Sequence, residues 1–123
     1  MGYQKIDCCE GHPRFFLGSD SAPHSPEAKS TSSPTHGCAA GIYTSPILLP
    51  LVAHLLESFG ALGNLESFVS KNGRSFYKQP VATDRIVKLR KVVDGKSVDE
   101  RYESRGHSLV PFWAGKHINW EIE

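Results

Sequence analysis

Near the start of the chain the run FFLG, residues 15–18, reads as a short strand with apolar side chains on both faces. A strand of that kind belongs inside a parallel sheet, where helices cover both sides. Nothing comparable follows it, because the later strand candidates are amphipathic and peripheral. One buried strand cannot build a core. The sequence therefore reads as the end of something larger, and at 123 residues it has room for one small domain but not for two.

Three stretches follow from residue patterns. Residues 1–14 mix charge, glycine and proline without periodicity and form an irregular lead-in. Residues 15–80 hold the strand (15–19), a loop and two helices. The loop, SDSAPHSPEAKSTSSPTHG, has three prolines and many hydroxyl side chains, and is expected to form no regular element. Loops of that length in compact domains are often functional. The first helix is SPILLPLVAHLLESFGALG: Ser45 is its expected N-cap, Pro46 sits in its first turn and Gly60 ends it. Leu48, Leu51, Val52, Leu55, Leu56 and Phe59 mark one apolar stripe. The second is NLESFVSKNG, with Asn64 as cap, Glu66 at the positive end and Gly73 as stop. Residues 81–123 form terminal strands: RIVKLRKVV (85–93), a polar turn or loop over DGKSVDERYESRG, and a strand with Ile118, Trp120 and Ile122 on alternate positions. A tight turn at AGK, 114–116, joins two short strands, of which this is the second.

Bulk properties exclude several function classes. A formal net charge of +1 offers no electrostatic footprint for nucleic acid or an anionic membrane. The KLRK run at 88–91 alternates with apolar residues and reads as a strand with a solvated face. No apolar run approaches the roughly 20 residues of a membrane span, and the N-terminus has no signal-peptide core. The three cysteines are odd in number, and Cys8 and Cys9 are adjacent, which suits a reducing compartment. A soluble cytoplasmic protein is expected.

Candidate chemistry begins with Asp20, which ends the FFLGS run. A carboxylate there is rarely left without a partner. It caps a turn, pairs with a cation or binds a metal, and residue order does not choose among these. In the functional case Asp20 lies at the carboxyl end of a barrel strand, where catalytic groups of (β/α)₈ barrels sit, able to hold a divalent metal and to take a proton. His24, on the loop beyond, would then donate to a substrate oxygen. In the bland case Asp20 caps a turn with Ser21 and His24 is solvated. A cluster of Cys8, Cys9, His12, His24, His36 and Cys38 does not have zinc-finger spacing. His54 reads as a helix packing residue, and Trp113 and Trp120 as strand packing.

The segments FFLGSDSAPH, GCAAGIYTSP, SFGAL, LESFVSKNGRSFY and LVPFWAGKHINWEI, in that order, resemble the C-terminal third of the dihydroorotases found as separate enzymes in bacteria and fungi. The likeness runs from about Gly11 to the end; the first ten residues carry none of it. It implies an α/β fold, the C-terminal part of a (β/α)₈ TIM-barrel metallo-hydrolase with a binuclear zinc centre. It further implies a cyclic amidohydrolase that interconverts (S)-dihydroorotate and N-carbamoyl-L-aspartate, in pyrimidine biosynthesis. By this resemblance Asp20 is a metal ligand and the general acid/base, and His24 contacts the substrate carboxylate. A backbone group of Ala40, or of Ala39 because this loop is longer, touches substrate.

The family's H-x-H pair, carboxylated lysine, two further histidines and substrate-holding arginine and asparagine match nothing in these residues. The expectation is that the isolated chain is inactive. Its small-molecule partner would be dihydroorotate or N-carbamoyl-L-aspartate, with homo-oligomer formation allowed. The alternative is a non-catalytic module that docks on a full-length dihydroorotase or another partner through an exposed strand edge and an apolar face.

Overall fold

The computed structural model describes residues 10–30, 37–81 and 84–123. Its helices are α1 (Pro26–Lys29), α2 (Leu48–Ser58) and α3 (Asn72–Phe76). Its strands are β1 (Leu89–Ser97), β2 (Tyr102–Ser104), β3 (His107–Leu109) and β4 (His117–Ile122). β1 pairs with β4 and β2 with β3, so the described residues contain two small ribbons and no closed barrel. No described helix is long and apolar enough to cross a membrane. The described residues divide into two compact units: 10–18, 49–81, 84–93 and 119–123 in the first, 19–30, 37–48 and 94–118 in the second.

In the first unit α2 is the apolar centre. Leu51, Val52, Ala53 and Leu56 are buried at three-, four- and one-residue spacing, the stripe expected of a helix with one covered face. Pro50 falls within its first turn, where the missing N–H is one the helix leaves unpaired anyway. Gly60 ends it as expected, with φ +70°. The Ala61 N–H donates to the Leu56 carbonyl (2.8 Å) and the Gly60 N–H to that of Glu57 (2.9 Å), the paired bonds of a Schellman cap. Phe59 lies past the last helical turn and is exposed, so it leaves the expected stripe.

The second helix departs from expectation at both ends. Asn64 lies in a 3₁₀ turn (Leu62–Asn64) that has no side-chain cap, and a π turn (Ser67–Lys71) precedes α3. Gly73 does not stop the helix; α3 runs on to Phe76. A methyl on Gly73 would meet the Phe16 ring at 3.3 Å, so this glycine serves close approach instead.

That approach explains what becomes of residues 15–19. They form no ladder with any described strand, and Phe15 is exposed, which corrects the expectation of a strand buried on both faces. The extended chain is tied to the helical segment instead. Phe68, in the π turn, accepts the Leu17 N–H (2.9 Å), and Asn72 Nδ2 donates to the Phe15 carbonyl (3.0 Å). Phe16 packs among the rings of Phe76 and Tyr77. A backbone without neighbouring strands takes whatever donors and acceptors are near.

Glu57 joins α2 to the strands. Its carboxylate accepts from Lys91 Nζ (2.6 Å) and from Trp120 Nε1 (3.0 Å), so part of the basic run and one tryptophan are partnered. Arg90 pairs with Glu121 across β1 and β4.

In the second unit, β2 and β3 form a hairpin with Tyr102 opposite Leu109 and Ser104 opposite His107. β2 falls in a segment expected to be only a turn or loop. The hairpin's two central residues, Arg105 (φ +49°) and Gly106 (φ +80°), adopt the left-handed pair that a two-residue hairpin favours. The turn before β4 is as expected. Lys116 N–H donates to the Trp113 carbonyl (3.0 Å), and Val98 brackets the turn through its N–H to Lys116 and its carbonyl to Gly115.

Candidate functional site

The second unit contains a pocket of about 450 Å³ built from three segments. The first contributes Ala22, His24 and Pro26, the second Gly41, Ile42 and Tyr43, the third Val110, Pro111 and Phe112. Lys29 completes the wall. None of these segments is a strand or long helix, so their positions depend on specific bonds.

The SDSAPH segment is fastened first. Ser21 Oγ accepts two backbone N–H groups, those of Thr44 and Ser45, each at 3.0 Å. These are donors at the start of the 3₁₀ turn Ser45–Ile47 that leads into α2. The expected cap, Ser45, is itself inside that turn, and Thr44 at the N-cap position makes no side-chain cap bond. A hydroxyl distant in sequence thus performs the capping. The Ala22 N–H donates to the Ile42 carbonyl (2.9 Å). Gly41 (φ +95°) lies so close that a methyl there would sit 2.6 Å from the Ala22 Cβ, a contact only glycine allows.

His24 is then aimed by a tight turn. Its N–H donates to the Ala22 carbonyl (3.0 Å) across Pro23, whose ring restricts φ to values an inverse γ-turn needs. His24 is half-buried and lines the cavity. The third segment joins through the Phe112 N–H, which donates to the Tyr43 carbonyl (2.8 Å).

The loop after His24 is not wholly irregular, as had been expected. Ser25 Oγ caps α1 by accepting the Ala28 N–H (3.3 Å), with Pro26 in the first turn. The Glu27 carboxyl is held below its ordinary value by its own backbone N–H and by the Ser25 hydroxyl. Lys29, last in α1, reaches across to the far side of the loop. Its Nζ donates to the Ala39 carbonyl (2.6 Å) and to that of Gly41. The Ala39 N–H returns a bond to the Ala28 carbonyl (2.9 Å), and Cys38 Sγ lies 3.2 Å from the Lys29 carbonyl.

The expected site residues do not all meet. His24 faces the pocket. Asp20 is exposed, has φ +40°, and does not line the pocket; only its carbonyl comes near Gly41. A short polar side chain tolerates that left-handed backbone better than most. Ala40 is exposed and lies between two residues whose carbonyls Lys29 holds. Cys8, Cys9 and His36 lie outside the described residues. Among the described residues no three His, Cys, Asp or Glu side chains come together as a metal would require. These residues do not by themselves fit a zinc ion. Ser21 and Lys29 were missed from sequence, although Ser25 followed by Pro26 is a legible helix start that would have placed Lys29.

Chemically the pocket is lined by His24 and by the apolar Val110–Phe112 segment, while the Lys29 ammonium is engaged by the Ala39 and Gly41 carbonyls. That suits a small anionic molecule with an apolar edge.

No family profile matches the chain. A dihydroorotase of Mycosarcoma maydis is 40% identical to it, over 92% of this chain and 40% of its own length. One from Erwinia tasmaniensis is 42% identical, over 91% of this chain and 31% of its own. The chain is thus similar, over nearly all of its length, to part of the dihydroorotases. It spans about a third of the length of most of the curated dihydroorotases it matches. Among solved structures, a dihydroorotase from Campylobacter jejuni superposes with a TM-score of 0.76 at 29% identity, covering 94% of this chain and 31% of that one. The Saccharomyces cerevisiae dihydroorotase, solved in complex with 5-fluoroorotic acid, gives 0.77 at 30% identity, covering 95% and 32%. The fold is that of part of a dihydroorotase, consistent with the C-terminal part of a (β/α)₈ barrel.

Proposed function

We propose that this chain carries the carboxylate-binding edge of a dihydroorotase site, acting on (S)-dihydroorotate and N-carbamoyl-L-aspartate in the cytoplasm. The observation that carries this is the placement of His24: the imidazole of the SDSAPH segment lines a pocket together with the GIYTSP and VPFWAG segments, all parts of the shared sequence. In this proposal His24 donates to the substrate carboxylate and a backbone group of Ala40 adds a second contact. Asp20 takes and returns the proton. Zinc enters only as a demand on other residues, since Asp20 offers one carboxylate and zinc takes three or four protein ligands. No step is therefore drawn through it, and the 123-residue chain alone is expected not to turn over substrate.

The test uses the purified chain with and without added zinc. Expected are no cyclisation of N-carbamoyl-L-aspartate above background, and binding of that acid that His24→Ala weakens by about 10- to 100-fold, the worth of one charge-assisted hydrogen bond. Binding indifferent to His24 would overturn the assignment, and turnover would overturn the expected inactivity.

A second reading, a module that docks on a full-length dihydroorotase, is favoured by one observation in the first unit. Phe76 and Tyr77 are 67% and 64% exposed although their rings and that of Phe16 form one aromatic cluster. Co-elution with a full-length dihydroorotase, lost in Phe76→Ser, would support it.

A further inference from the structure

We propose that Lys29 is a positioning residue: its ammonium group sets the direction of the backbone donors on the loop opposite His24. Lys29 Nζ bonds the carbonyls of Ala39 (2.6 Å) and Gly41, the residues on either side of Ala40. Each carbonyl shares a planar peptide group with the N–H of the next residue, and in a trans peptide the two point in opposite directions. No cis peptide occurs among the described residues. Drawing the Ala39 and Gly41 carbonyls toward Lys29 therefore turns the N–H groups of Ala40 and Ile42 to the other side of the loop. Two donors two residues apart, on a segment whose Gly41–Tyr43 part lines the pocket, suit a carboxylate or an amide carbonyl.

Among the described residues, Cys38 Sγ also lies 3.7 Å from the Ala39 carbonyl, a weak neutral donor, but only Lys29 bonds both carbonyls. The Ala39 N–H bond to Ala28 anchors the loop's start, and the Ile42 carbonyl is held by Ala22, but neither sets the Ala39 or Gly41 peptide plane. Gly41 at φ +95° allows both carbonyls to face one ammonium group, a turn that a side chain would oppose. A lysine reaching across from α1 is thus built into the pocket wall without itself being a ligand contact.

This rests on the proposed function in that the ligand of the loop is taken to be N-carbamoyl-L-aspartate. The experiment separates the two. The Ala39 amide of the full chain is followed by NMR hydrogen exchange, and N-carbamoyl-L-aspartate is titrated against the Ala40 and Ile42 amides. Lys29→Met, which keeps the stem and removes the donors, is expected to speed Ala39 exchange about tenfold or more and to weaken binding about tenfold. Lys29→Arg should recover most of both, and the α2 amides should keep their protection in each variant. Unchanged exchange and affinity in Lys29→Met overturn the proposal. If that variant also loses α2 protection, Lys29→Arg and Lys29→Gln carry the test: slower Ala39 exchange in the arginine variant supports the clamp and equal rates overturn it. Faster exchange in a chain that does not bind the acid at all supports the clamp and overturns the substrate assignment.

Discussion

The α2 stripe of the first unit and the pocket of the second are held by different physics, although Ile47, Val98 and Ile118 are buried in the second unit too. In the first, α2 buries Leu51, Val52, Ala53 and Leu56 on one stripe, and removal of apolar surface from water supplies the stability. In the second, the pocket is made of turns and extended chain, and side chains bonded to backbone do the holding. Ser21 secures two N–H groups, Lys29 two carbonyls, and Gly41 permits a contact that any side chain would block. An apolar stripe tolerates substitution by another apolar residue of similar volume. A bond to a named carbonyl does not. The difference teaches that a site can be specified at single atoms while the scaffold is specified only by pattern.

The comparison breaks most visibly in α2. Leu56 is 3% exposed, so Leu56→Ala should cost about 2–5 kcal/mol, read as a lowered urea midpoint. A cost under about 1 kcal/mol would mean that burial is not what holds this unit.

Gly41→Ala comes next. Backbone strain at φ +95° costs about 1–3 kcal/mol, and overlap with the Ala22 methyl at 2.6 Å adds to it. The double variant Ala22→Gly, Gly41→Ala should recover the overlap part but not the strain, which a double-mutant cycle isolates. Full recovery would show that the backbone angle carries no cost.

Ser21→Ala is smaller. It leaves the N–H groups of Thr44 and Ser45 without the hydroxyl, and Thr44 is buried, so about 1–2 kcal/mol is expected. Ser21→Thr should lose less. The same residue shows where sequence patterns fail. Spacing located α2 and its Gly60 cap because helix periodicity and the left-handed glycine are local properties of the chain. The cap at the other end was assigned to Ser45, the nearest hydroxyl, when the actual acceptor lies 24 residues away. Gly73 was read as a stop for the same reason: its true constraint is the Phe16 ring, which no local window contains. FFLG was read as a strand from its side chains, yet a strand exists only with a neighbour, and Phe68 and Asn72 claim its backbone instead. Of the site, His24 was legible through its motif. Lys29 was hidden because the surrounding serines and prolines suggested no structure, although Ser25 and Pro26 start a helix by the ordinary capping rule.

The smallest effect belongs to a charged link of the first unit, Lys91–Glu57. Glu57 is held below its ordinary value of 4.5, mainly by the hydrogen bond from Lys91 and then by that from Trp120, with partial burial opposing both. A carboxyl whose pKa is lower folded than unfolded binds its proton more weakly in the folded state. Its stabilisation is therefore complete above the unfolded value and is lost as pH falls through the lowered folded value. Lys91→Met should raise the Glu57 pKa toward 4.5, followed by carboxylate NMR titration, and should flatten the acid side of the stability profile from about pH 5 downward. Trp120→Phe should raise it less, since it removes the second of the two donors. Because the Lys91 partner is exposed to solvent, added salt should shrink the lysine effect and leave the Leu56→Ala cost nearly unchanged. Equal salt sensitivity in the two variants would erase the distinction between a charged tie on the surface and an apolar stripe beneath it.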